Sequence, residues 1–160
     1  MKRHLILLLA FMLTIGAVSA TTSWDDVLKD LDSMEDFNVE YFDCDTNVSV
    51  GDYFFTIPEG FGQIDSMAIN MTEGNSSGIV KFFKNADDEI LMVSLTSGDD
   101  LNASIQNYIP ENVSYENFTI EGHDGVKWTD MPFSFFSYID GNTVVVLQAP
   151  KDSYFEEMII

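Results

Sequence analysis

The chain has 160 residues, with 27 Asp and Glu against 7 Lys and Arg and a formal net charge of −20. A surface of that sign repels nucleic acid and anionic lipid headgroups, so neutral polymers, cations and basic proteins remain as partners. One cysteine, Cys44, excludes an intrachain disulfide, and one Cys with two His excludes a structural zinc site made of four Cys or His ligands within a single chain.

The chain opens with Lys2 and Arg3, an apolar run over 5–15 and the small residues Val18-Ser19-Ala20, the three parts of a secretory signal peptide. The run is too short to cross a bilayer core of about 30 Å, which predicts cleavage after residues 1–20 and a mature protein starting near Thr21. No later run reaches the ~20 apolar residues of a spanning helix, so no integral membrane segment is expected after cleavage. The leader's two cations leave with it, taking the charge from −20 to −22. Residues 21–160 then suit a single acidic domain with one core. Because cysteine is among the most buried residue types, Cys44 is expected to be a free buried thiol.

Ser23 can cap a first helix carrying Asp25 and Asp26 in its first turn, with Trp24, Val27, Leu28, Leu31 and Met34 on one face. Residues 38–49 read as an acidic, turn-like segment. Tyr53-Phe54-Phe55-Thr56-Ile57 reads as a strand ended by Pro58-Glu59-Gly60. Strands over 67–71, 79–83 and 90–95, separated by turns at 73–78 and 85–88, predict a three-stranded meander. Ser97-Gly98-Asp99-Asp100 stops it and caps a second helix through Leu101, Ile105, Tyr108 and Ile109 that Pro110 ends. Phe118-Thr119-Ile120 is a strand, and Gly122-His123-Asp124-Gly125 a turn. Strands over 133–139 and 143–147 flank Asp140-Gly141-Asn142, a strong hairpin signal. Pro150 closes the last strand and Ser153 caps a helix over 154–160. The sum predicts an α+β fold, a mostly antiparallel twisted sheet with two or three packing helices.

Three segments, YFFTIPEGF at 53–61, IEGHDGVKW at 120–128 and FSYIDGNTVVVLQAP before an acidic C-terminal helix, resemble small exported proteins of methanogenic archaea. More distantly the pattern resembles the Mog1/PsbP-like α/β/α sandwich. The resemblance spans most of residues 21–160, rests on strand and turn grammar, and implies no agreed activity, no cofactor and no site residues.

Candidate chemistry is sparse. Six of the ten asparagines stand in N-x-Ser/Thr acceptors, namely Asn47, Asn70, Asn75, Asn102, Asn112 and Asn117, which predicts glycosylation of an exported chain. After leader removal His123 is the only histidine, and no G-x-S-x-G elbow accompanies it; it is expected as a turn histidine held by local hydrogen bonds. Asp43, Asp45 and Asn47 open like a calcium loop, but Val48 and Phe54 stand where that loop needs Gly and Glu, so the expectation is a plain acidic loop with no metal. No phosphate-cradling glycine loop is present. Phe133 and Phe135 alternate with Phe136 and Tyr138, and they and Trp128 read as core on both faces of a covered sheet.

The residues therefore predict no catalytic, cofactor or metal site, and an exported, glycosylated binding or interaction module of the cell envelope or exterior with an unknown partner there. Two other classes stay open: an extracellular glycan or cell-wall hydrolase using two carboxylates about 5–10 Å apart, and a passive structural or surface protein. A concave cleft holding two unpaired carboxylates favours the hydrolase, and an exposed aromatic strip favours a polymer binder.

Overall fold

A computed structural model describes residues 39–64, 69–73, 76–98, 109, 113–130 and 133–159, all within one compact unit, Asn38–Ile160. The helices expected over 24–34 and 101–109 fall outside the described residues, apart from Ile109.

Eleven strands and one helix are described. They are β1 (Val39–Tyr41), β2 (Thr46–Val50), β3 (Tyr53–Ile57), β4 (Phe61–Ile64), β5 (Ile69–Glu73), β6 (Ser76–Asn85), β7 (Ile90–Gly98), β8 (Tyr115–Ile120), β9 (His123–Asp130), β10 (Phe133–Asp140), β11 (Thr143–Ala149) and the helix α1 (Tyr154–Met158). Nine strands form one antiparallel sheet in the order β1-β4-β6-β7-β11-β10-β9-β8, with β5 beside the first half of β6; β2 and β3 make a separate hairpin.

The predicted α+β class is thereby corrected. The described residues are nearly all β, with one short helix instead of two or three. The difference lies in strands that sequence reading passed over. β1 and β2 occupy the segment taken as an acidic turn, yet Thr46, Val48 and Val50 turn inward while Asn47 and Ser49 face out, the period-two alternation of a half-buried strand. β9 was hidden by placing its turn too late. The loop is Glu121-Gly122, both at positive φ (47° and 85°), the backbone of a two-residue type I′ hairpin, so His123 already belongs to the strand. Gly125 within β9 has a packing reason, since a Cβ there would stand 2.3 Å from the Ser137 carbonyl oxygen and 2.8 Å from the Phe136 ring.

Strand alternation sends side chains from β6, β7, β11, β10 and, beyond β9, β8 to a common face: Phe83, Val93, Leu95, Val145, Leu147, Phe136, Tyr138 and Ile120. Val50, Phe55 and Ile57 of the β2–β3 hairpin and Phe155 and Met158 of α1 close over them. The opposite face is buried as well, through Val80, Phe82, Met92, Val144, Val146, Phe135 and Trp128. Burial of both faces is why β11, Thr-Val-Val-Val-Leu-Gln-Ala, shows no apolar–polar alternation across Val144–Leu147. The aromatic residues of β9 and β10 accordingly serve the core, with Trp128 and Phe135 stacked at 5.1 Å and 6°.

Candidate functional site

Three tight hairpin loops bring polar side chains to one place. Gly51-Asp52 joins β2 to β3, Glu121-Gly122 joins β8 to β9, and Gly141-Asn142 joins β10 to β11, with Gly51 and Gly141 both at φ 56°. Each loop carries a glycine at positive φ and closes in two residues. Asp52 within the first loop, and His123 and Asp140 beside the other two, line a cleft of about 620 Å³ together with Tyr53, Phe54 and Tyr138.

The floor is aromatic. The His123 ring lies over the Tyr138 ring at 4.4 Å, tilted by 37°. Tyr138 is only 3% exposed, and its hydroxyl makes no hydrogen bond to a described residue. Burial chiefly, reinforced by Tyr53 and Asp140, pushes its phenol up to about 12. It is therefore a permanent donor at neutral pH and a poor base. Phe54 is 65% exposed at the rim, because the β3 alternation that buries Tyr53, Phe55 and Ile57 throws Phe54 outward. The Tyr53 hydroxyl donates to the Asp140 carbonyl at 3.3 Å, tying the hairpin to the end of β10.

Neither Asp52 nor Asp140 joins an ion pair among the described residues, and no cation lines the cleft. The described lysines are engaged elsewhere: Lys81 with Gln63, Lys84 with Asp88, Lys151 with Glu89, and Lys127 with Glu116 at 3.1 Å and Asp152 at 3.3 Å. A second hollow of about 680 Å³ beside β8 and β9 contains that Lys127 network. That hollow holds a lysine beside its carboxylates, whereas no lysine or arginine among the described residues lines the cleft.

The sequence-predicted candidates distribute as follows. Asn47 in β2 and Asn117 in β8 are exposed on strands; Asn70 lies in β5; Asn75, Asn102 and Asn112 fall outside the described residues. His123 is not a turn residue held by local hydrogen bonds, since it heads β9 and stacks on Tyr138. The three residues of the calcium-like opening do not converge, because Asp45 accepts from the Glu59 amide at 2.9 Å and Asn47 accepts from Thr56 Oγ1 at 3.0 Å. Among the described residues no three His, Cys, Asp or Glu side chains gather as a metal site. Cys44 is free but exposed, not buried: it stands in the short bend between β1 and β2, where the chain runs outside the core. Of the acidic residues expected at helix starts and turns, Asp25, Asp26, Asp99 and Asp100 are outside the described residues, and Asp88 pairs with Lys84.

Asp52 and Asp140 were missed by sequence reading. The available signal was the pattern Gly51-Asp52, Gly122-His123 and Asp140-Gly141, one polar residue beside each hairpin glycine. No family model, curated protein or solved structure matches the chain.

Proposed function

We propose that the protein is an exported, glycosylated, non-catalytic binding module of the cell envelope or exterior, and that the cleft holds a neutral polyol unit such as one sugar residue of a polymer. One observation carries the reading: among the described residues, a Tyr138 hydroxyl and two carboxylates without partners and the exposed Phe54 ring share a cleft that no lysine or arginine lines. A sugar satisfies all of them together. Its hydroxyls donate to Asp52 and Asp140 and accept from Tyr138, and its carbon face lies on Phe54. A simple cation would answer the carboxylates and leave the phenol donor without an acceptor, and an anion would meet repulsion. Among the described residues no helix is long and apolar enough to cross a membrane, in keeping with a module held outside by its ligand.

The test is calorimetric titration of the chain from residue 21 onward against neutral oligosaccharides, with spermine as the cationic control. Phe54→Ala and Tyr138→Phe are each expected to weaken saccharide binding about tenfold or more, the loss of one stacked ring or one hydrogen bond to a buried donor. Spermine binding with no saccharide binding would overturn the polyol assignment. Two carboxylates in one cleft, unpaired among the described residues, also favour the hydrolase as the second reading; new reducing ends in the saccharide, lost in Asp52→Asn or Asp140→Asn, would make the pair hydrolytic instead.

A further inference from the structure

The acceptor asparagines that fall in described strands share a topological property. Asn47 lies in β2, Asn70 in β5 and Asn117 in β8, and among the described residues each of these strands is hydrogen-bonded to a neighbour on one side only. The six strands paired on both sides, β4, β6, β7, β9, β10 and β11, carry no acceptor asparagine. We propose that Asn47 and Asn117, with Asn70 by its strand position, are N-glycosylated and that their glycans guard the open strand edges against pairing with a second copy of this chain.

An open edge presents unpaired N–H and C=O groups to any extended chain, and proteins usually protect it with charge, proline, a bulge or a very short strand. Of these β8 has only one charge. Its six residues pair without a bulge from Tyr115↔Trp128 to Ile120↔His123, it contains no Pro or Lys, and its single charge, Glu116, is matched by Lys127 at 3.1 Å. Tyr115, Phe118 and Ile120 give it the composition of an aggregation-prone segment. β2, Thr-Asn-Val-Ser-Val, carries no charge at all, in a chain with 27 acidic residues. The remaining edges are otherwise served: β1 is three residues long, and α1 packs against β3.

The attachment atoms are free. Asn47 receives the Thr56 hydroxyl on Oδ1 at 3.0 Å, which leaves Nδ2 pointing away from that bond, and both Asn47 and Asn117 are exposed. In the transfer, Nδ2 bonds to the anomeric carbon of a phosphate-activated glycan donor. The anomeric C–O bond breaks, and the amide proton leaves with the phosphate; no electrons are exchanged. A bulky polar oligosaccharide on an edge strand blocks a neighbouring strand sterically.

The inference rests on the reading of an exported chain, and its test separates the two. Peptide mass spectrometry of the chain purified from its native source is expected to show an N-terminus near Thr21 and glycan mass on Asn47 and Asn117. In sedimentation the native form is expected to stay monomeric at ~50 μM, while the same chain made without glycosylation associates at that concentration. Asn117→Lys or Asn47→Lys in the unmodified chain should reduce that association, since a charge on the edge replaces the missing glycan. Processed protein with bare Asn47 and Asn117 would overturn this inference and leave export standing, and Met1 retained would overturn both. An unmodified chain as monomeric as the native one, or association untouched by either Lys variant, would also overturn it.

Discussion

On one face of β11, Val145, Leu147 and Ala149 lie inside the main apolar cluster with Leu95, Phe136 and Phe155. On the other, Val144 and Val146 are followed by Gln148, 1% exposed, whose amide nitrogen and oxygen are both buried and make no hydrogen bond to a described residue. The same strand thus holds one face whose stability is transfer of carbon from water, and one where a polar group offsets part of that gain. An unsatisfied buried amide atom costs about 1–3 kcal/mol. A strand in the middle of the sheet is therefore not equally optimised on its two sides.

The comparison breaks most visibly on the apolar face. Leu147→Ala should lower unfolding free energy by about 2–5 kcal/mol, read from urea midpoints; a loss below about 1 kcal/mol would mean the cluster collapses around the gap. On the polar face the sign reverses. Gln148→Met keeps the length and removes both unsatisfied atoms, so stability should rise by about 1–3 kcal/mol. A fall instead would assign the amide a bound partner such as a buried water. Smaller still is Lys127→Ala, which removes pairs to half-exposed Glu116 and Asp152 and a cation 4.3 Å from the Phe118 ring centre; about 1 kcal/mol or less is expected, weakening with added salt.

The subtlest effect belongs to pH. The folded Tyr138 phenol is pushed from 10 to about 12, burial first and then Tyr53 and Asp140. Between those values the folded chain keeps a proton that the unfolded chain has released. Stability is therefore level below about pH 10 and declines as pH rises toward 12. Tyr138→Phe should remove that decline, and an unchanged alkaline slope in the variant would assign it to other groups.

Much of this architecture could be read from sequence where both alternation and turn chemistry were present. Tyr53–Ile57 has the predicted bounds, the β5-β6-β7 meander was expected, and Asp140-Gly141-Asn142 marked the β10–β11 hairpin. β1, β4 and β9 were not legible, each for a physical reason. β1 and β4 are three and four residues long, too short for a period. β9 exposes Asp124, Thr129 and Asp130 and carries Gly125, whose missing Cβ admits the Phe136 ring. The cleft was less legible than the fold, because Asp52, His123 and Asp140 are far apart in sequence and meet only through three loops. Periodicity locates faces, and long-range register is what assembles sites from them.

Register also sets the order of events when the chain first folds. The β4–β7 half and the β8–β11 half of the main sheet meet at a single seam, β7 against β11, with Leu95 opposite Val145. Partners so distant in sequence make for slow closure. A chain emerging N-terminus first holds β7 with one unpaired edge until β11 arrives. Throughout that interval an apolar strand is open to intruders, so the yield of folded protein depends on the time between delivery of β7 and of β11, the window in which a strand-shielding helper would raise it.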